Sequence, residues 1–304
     1  MRRRTPPEEN IPLIVYTPFA WGSPPPTQPA ANTPVTAAPP QKPPPFNPPE
    51  PYTKYDGHFI GAGRDYPLGT PLSAVRGVQP RGGHPTQKII FVNGVYNSPG
   101  SEYDSMQAIA DKANAEVVGV YNATEGKVKD IVQCVMDKWG IGHNPAVETL
   151  KGTLYAELTS NSQQPINMMA HSQGALITTR ALGDVRNMLK EDGLSSQEID
   201  ARMSRINVET FGGAAYGYPD GPQYSHHVNA LDPVPGLFGL GAMLPAVSPL
   251  ASAAAAPATH AGAGAQTHWS AQAERAPDPF SAVHGFQEVY LKDWQSSFAR
   301  SAPQ

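Results

Sequence analysis

Short apolar runs alternate along this chain with segments of helical period, and that alternation sets the first expectation. Lys88 to Val95 reads K-I-I-F-V-N-G-V, an apolar run of strand length that ends in a turn and a polar loop. Ser101 with Asp104 three residues later caps a segment in which Met106, Ile109, Ala110 and Ala113 recur at helical spacing. A second strand run covers Glu116 to Tyr121, and Val128, Ile131, Val132 and Val135 mark a helix from Lys127 to Trp139. Pro145 opens another helix, to about Leu158, because proline in a first turn sacrifices no hydrogen bond. Ile166 to Ala170 reads as a strand, and Gly174 to about Lys190 as a long helix stopped by Glu191-Asp192-Gly193. Ser195 and Glu198 open a short helix to Met203, strands follow at Ile206 to Phe211 and Tyr224 to Leu231, and Phe286 to Phe298 is an amphipathic terminal helix. Strand alternating with helix predicts an α/β fold, a mostly parallel sheet of five strands flanked by helices.

Composition divides the chain of 304 residues before that pattern begins. Residues 1–55 hold about half of the 34 prolines and few charges, which cannot bury a core and favours extended polyproline conformation. This stretch reads as a disordered Pro-rich arm, either a plain solvated tail or a docking or secretion segment. Residues 56–87, with scattered glycine and proline, read as an irregular lead-in, and residues 88–300 as the folded domain.

Charge and cysteine usage exclude some classes. A net charge of -4 and a pI near 6.1 leave no basic footprint for nucleic acid. The single Cys134 rules out an internal disulfide framework and reads as a small buried hydrophobe on an amphipathic helix. Met1-Arg2-Arg3-Arg4 is followed by Glu8 and Glu9, and Pro12 and Pro18 interrupt the apolar stretch after them, so no cleavable signal peptide is read here. No run has the length of a membrane span, and the chain reads as soluble or peripheral, with any export by a leaderless route.

The chemistry concentrates between Pro165 and Thr179, P-I-N-M-M-A-H-S-Q-G-A-L-I-T-T. Ser172 stands between an apolar strand and a helix of small and aliphatic residues, with Ala170 and Gly174 at the flanking positions. A nucleophile elbow requires that pattern, because its sharp turn strains the serine backbone and brings the neighbours too close for large side chains. The other reading is a helix-capping serine in a tight turn.

In parallel sheets, sites form at the carboxyl ends of strands. Asp232 in N-A-L-D-P-V-P ends the last predicted strand, whereas Asp220 and Asp278 sit in turns that end none. His284 in S-A-V-H-G-F lies after Asp232 and ahead of the terminal helix, which suits a general base, with His268 the runner-up. His260 lies in a loose linker, His226 and His227 fall inside a strand, and His171 reads as a packing residue. An oxyanion hole would take the backbone N–H of Gln173 and that of Gly94 or Val95, with Asn93 orienting the loop.

The segments I-I-F-V-N-G-V, M-A-H-S-Q-G-A-L, V-E-T-F-G-G-A-A-Y-G, V-N-A-L-D-P-V-P and V-H-G-F resemble the serine-hydrolase core of the α/β-hydrolase superfamily. They look most like its class 3 lipases and related bacterial lipase-like effectors, over roughly residues 88–296. Ala170 and Ala175 stand where that family usually carries glycine. The resemblance implies a serine ester hydrolase (lipase, phospholipase or esterase) with Ser172 as nucleophile, Asp232 as acid and His284 as base, using neither cofactor nor metal.

The substrate class rests on residues 233–273, which contain no charged side chain. Their apolar run at 236–250 suits an ester or lipid substrate met at a membrane surface, and reads equally as a low-complexity loop covering an edge. A reading of a different kind is a non-catalytic interaction protein, a degenerate hydrolase core whose Pro-rich arm binds partners.

Overall fold

In the computed structural model the described residues are 45–95, 97–123, 143–243 and 259–298. The chain divides into two units at residues 42 and 43, and every described residue belongs to the second. Most of the expected arm, the expected helix at 127–139 with Cys134, and residues 244–258 of the uncharged stretch lie outside the described residues.

The frame is one sheet of eight strands. In chain order these are β1 (Phe59–Ile60), β2 (Asp65–Tyr66), β3 (Gln87–Val92), β4 (Ala115–Val120), β5 (Ile166–His171), β6 (Ile206–Phe211), β7 (Gln223–Asn229) and β8 (Gln266–Ser270). Across the sheet they run β2-β1-β4-β3-β5-β6-β7-β8. All pairs from β4 to β8 are parallel, and only β1 pairs antiparallel with β2 and β4. The parallel core was legible from the alternation. The short edge strands were not: β1 and β2 fall in the expected lead-in, and β8 falls in the uncharged stretch, because strands this short and mixed carry no periodic signal.

Each face of the central strands packs a different layer. Ile90, Val92, Val118, Val120, Met168 and Ala170 point into one core with Leu150 and Leu154 of α2 (Pro145–Thr159) and Ala181, Leu182 and Val185 of α3 (Gln173–Glu191). Ile89, Phe91, Val117 and Met169 point the other way, onto Met106 and Ile109 of α1 (Pro99–Ala113) and the C-terminal Phe286, Val289 and Trp294. The period of two that sends successive side chains to opposite faces explains why these strands are apolar at nearly every position.

Helix ends follow local chemistry. Ser98, rather than the expected Ser101, caps α1 by accepting from Ser101 N–H. Asn144 caps α2, and Ser195 with Glu198 forms a complete capping box on α4 (Ser196–Met203). The expected terminal helix over 286–298 is instead a short α6 (Ser281–His284), a single π-helical turn at Phe286–Tyr290 and irregular chain to Phe298. Its apolar side chains are buried as the periodicity foretold, but side-chain anchors replace a continued backbone ladder. No described helix is long and apolar enough to cross a membrane.

Candidate functional site

The turn after β5 forces Ser172 into φ 56°, ψ −123°, a conformation that a residue with a β-carbon adopts only under constraint. The constraint is visible on both sides. Ser172 N–H donates to Phe211 C=O at 3.0 Å, and its own carbonyl accepts from Ala175 N–H at 3.1 Å and Ala214 N–H at 3.0 Å. Gly174 must lack a side chain, since a β-carbon there would lie 2.2 Å from Val92 C=O at the end of β3. The small residues that flagged the motif therefore answer to close backbone approach, and Ser172 is delivered at the carboxyl edge of the central strands.

His284 reaches the same place from far along the chain. It ends α6, is buried, and its Nδ1 lies 2.6 Å from Asp232 Oδ2. Asp232 stands just past β7 as the N-cap of α5 (Pro233–Phe238), where its Oδ1 accepts from Val234 N–H at 2.9 Å. Capping and histidine binding thus use different oxygens of one carboxylate. Ser172, His284 and Val95 line one cavity of about 390 Å³, walled by Phe91, Phe280 and Phe286. Ser172 Oγ is buried and makes no hydrogen bond among the described residues.

The loop after β3 completes the arrangement. A β-carbon on Gly94 would lie 2.8 Å from Ser172 Cβ, so this backbone rests directly on the serine. Asn93 Nδ2 donates to Gly94 C=O at 3.0 Å. Gln173 opens α3, and a first helical N–H has no preceding turn to bond into. Its side-chain Oε1 accepts from Asn122 Nδ2 at 2.7 Å, and Asn122 N–H donates to Asn93 Oδ1 at 2.9 Å. One buried polar chain therefore ties together the two segments named as oxyanion donors. Asn122 was missed because only the sheet order, with β4 and β5 on either side of β3, brings the end of β4 within reach of the start of α3.

Other residues were missed for the same reason. Tyr290 hydroxyl donates to Asp232 Oδ2 at 2.5 Å. His171, read as packing, does pack, with its ring 4.7 Å from that of His284 and 5.0 Å from that of Phe286. It also meets the backbone: its Nε2 lies 3.1 Å from His284 C=O, which requires the Nε2–H tautomer. Burial, reinforced by neighbouring His284, pushes His171 well below the ordinary histidine range and keeps it neutral. Behind these, buried Glu209 accepts from Trp294 Nε1 at 2.5 Å, Ser297 Oγ at 2.5 Å and Ser297 N–H at 2.9 Å, and meets His227 Nε2 at 3.1 Å. Burial alone would raise this carboxyl, but the bonds from His227, Ser297 and Trp294 outweigh it and hold it below the usual range.

The rival candidates make other contacts. His268 sits on β8 against Ser225 Oγ, His260 pairs with Asp220 at 2.8 Å, and Asp278 caps the turn into α6 by accepting from Phe280 and Ser281 N–H. Asp278 and Glu288 do border the cavity, and no described lysine or arginine does. Within the uncharged stretch, Val234 and Phe238 of α5 pack with Ala214, and none of its described residues lines the cavity.

No protein-family model matches the chain, and no curated protein sequence matches it. Among solved structures it is similar to a hormone-sensitive lipase from a metagenome library, at 14% identity over 69% of this chain and 73% of that one, with a TM-score of 0.36. It is also similar to EstE7, a homologue of hormone-sensitive lipase from a metagenome library, at 14% identity over 62% of this chain and 69% of that one, with a TM-score of 0.33. Within the chain itself, an open, mostly parallel sheet flanked by helices carries a strained serine at a strand-to-helix turn beside its centre, which is the architecture of an α/β-hydrolase.

Proposed function

We propose that this protein is a serine carboxylic-ester hydrolase that works through an acyl-enzyme. One observation carries the reading: the serine with strained backbone and the histidine bonded to a buried carboxylate border a single cavity. His284 Nε2 takes the proton of Ser172 Oγ as the hydroxyl attacks the ester carbonyl, while Asp232 holds the imidazole by Nδ1–H and stabilises the imidazolium. The developing oxyanion is received by the N–H of Gln173 and that of Gly94 or Val95. Collapse of the tetrahedral intermediate passes the proton from His284 to the leaving alcohol and leaves the acyl group on Ser172. Water, activated by the same imidazole, then releases the acid.

The aromatic wall of Phe91, Phe280 and Phe286 suits the acyl part of an ester, so lipase-, phospholipase- and esterase-like substrates all belong to this reading. Membrane contact through residues 236–250 rests on composition alone, because residues 244–250 lie outside the described residues and none of the described ones in that run lines the cavity. The test combines p-nitrophenyl esters of graded chain length with a fluorophosphonate probe. Wild type is expected to turn over the esters and to be labelled, and Ser172→Ala to do neither. Absence of Ser172-dependent labelling and turnover overturns the proposal.

A further inference from the structure

Asp232 Oδ2 accepts two hydrogen bonds, from His284 at 2.6 Å and from the Tyr290 hydroxyl at 2.5 Å. The direction of the second is set by a third group. Asn229 N–H points at Tyr290 Oη from 3.4 Å and occupies the acceptor side of that oxygen, so the phenolic proton is directed to the carboxylate. Burial, with the negative charge of Asp232, pushes the Tyr290 hydroxyl well above the ordinary tyrosine range and keeps it a donor. Asn229 Nδ2 also donates to Val283 C=O at 2.9 Å, so one side chain and its backbone hold both the loop of His284 and the hydroxyl.

We propose that Tyr290 is a positioning residue of the site, locking the Asp232 carboxylate so that Oδ2 faces His284 and setting the strength of the bond between them. The inference rests on reading Ser172, His284 and Asp232 as a triad. With Val234 N–H on Oδ1 and Tyr290 on Oδ2, neither oxygen is free to rotate away, and the imidazole is offered one acceptor in one direction. A second donor on Oδ2 also withdraws charge from the oxygen that meets Nδ1, because a carboxylate that already donates density to one proton binds the next less strongly. Tyr290 thus fixes the direction of the bond between Asp232 Oδ2 and His284 Nδ1 while sharing the oxygen that makes it. The titratable groups around the pair are His171 on β5, whose ring lies 4.7 Å from that of His284 and 6.1 Å from that of Tyr290, and Tyr290 itself. Asp278 and Glu288 border the same cavity as His284, and the remaining neighbours, Phe280 and Phe286, carry no charge.

The experiment is Tyr290→Phe in the full chain, which keeps the buried ring and removes only the hydroxyl, together with 3-fluorotyrosine placed at position 290, which makes the phenol a stronger donor. For Tyr290→Phe the expected results are a kcat lower by about tenfold, a KM within about twofold, and an acid limb of kcat/KM moved to higher pH. The fluorinated residue is expected to move that limb to lower pH. A role in packing alone predicts a lower Tm with the acid limb unmoved in both variants, and that outcome overturns the inference. A second readout needs no turnover: the low-field proton resonance of His284 Nδ1–H should move downfield in Tyr290→Phe and upfield with fluorotyrosine. An unmoved resonance also overturns it. If wild type hydrolyses no ester, the functional reading fails, while the resonance still decides what Tyr290 does to Asp232 and His284.

Discussion

Gly94 and Ser172 are packed so closely that a β-carbon on the glycine would stand 2.8 Å from that of the serine and 3.3 Å from its hydroxyl. Two segments 78 positions apart in sequence thus meet where the reacting carbonyl would sit. Gly94→Ala must push the loop off the serine and with it the Gly94 and Val95 amides. The expected loss in kcat/KM is on the order of 100-fold or more, the scale of one oxyanion donor. Fluorophosphonate labelling and circular dichroism in parallel check that the fold persists while the rate falls.

Asn122 joins the same loop to the residue after the serine, through Asn93 on one side and Gln173 on the other. Asn122→Ala removes the side-chain half of that link and leaves the backbone half. We expect a kcat lower by about tenfold with KM little changed, because alignment in the transition state is lost rather than ground-state binding. Steady-state kinetics on one ester decide it, and a change confined to KM contradicts the assignment.

Two buried glutamates make stability respond to pH with opposite signs. Burial raises Glu102 well above the usual carboxyl range, and among the described residues neither of its oxygens has a hydrogen-bond partner. Its folded form keeps a proton that the unfolded chain releases above about pH 4.5, so stability falls as pH rises from there. Glu102→Gln is therefore expected to raise Tm, by more at pH 8 than at pH 5, in a thermal melt series.

Glu209 is held below the usual range, so its contribution is present above the unfolded value and is lost as pH falls through the folded one. Its removal leaves Trp294, Ser297 and His227 without their shared acceptor in a packed layer. Glu209→Ala should destabilise by about 3 kcal/mol at pH 7, with the difference from wild type shrinking below about pH 4. Urea titration at the two pH values measures both effects.

Asp278 and Glu288 border the cavity, and no described cation accompanies them there. An ester carrying a carboxylate or sulfonate is expected to show a several-fold lower kcat/KM than its neutral isostere, with the gap narrowing as salt is added. Glu288→Gln should narrow it as well, and equal rates for both esters at low salt contradict this reading of the rim.

Much of this was written locally. The apolar runs of β3, β4, β5 and β6 announce themselves because strands buried on both faces need no polar alternation. Ser172 announces itself because close backbone approach at a strand-to-helix turn admits only small neighbours such as Gly174. Asp232 is legible at the end of an apolar strand run, and His284 from its place after Asp232 and ahead of the apolar C-terminal segment, although that segment forms only a short turn at Phe286–Tyr290 rather than the expected helix. What tertiary structure alone decided is which distant groups share an atom. That Tyr290 and His284 meet on one oxygen of Asp232, that Asn122 reaches Gln173, and that Glu209 collects Trp294 and Ser297 follows from sheet order and from the path of the C-terminal segment. No spacing in sequence encodes those meetings, because a hydrogen bond depends on ångström-scale separation in space, and periodicity reports only which face a side chain takes.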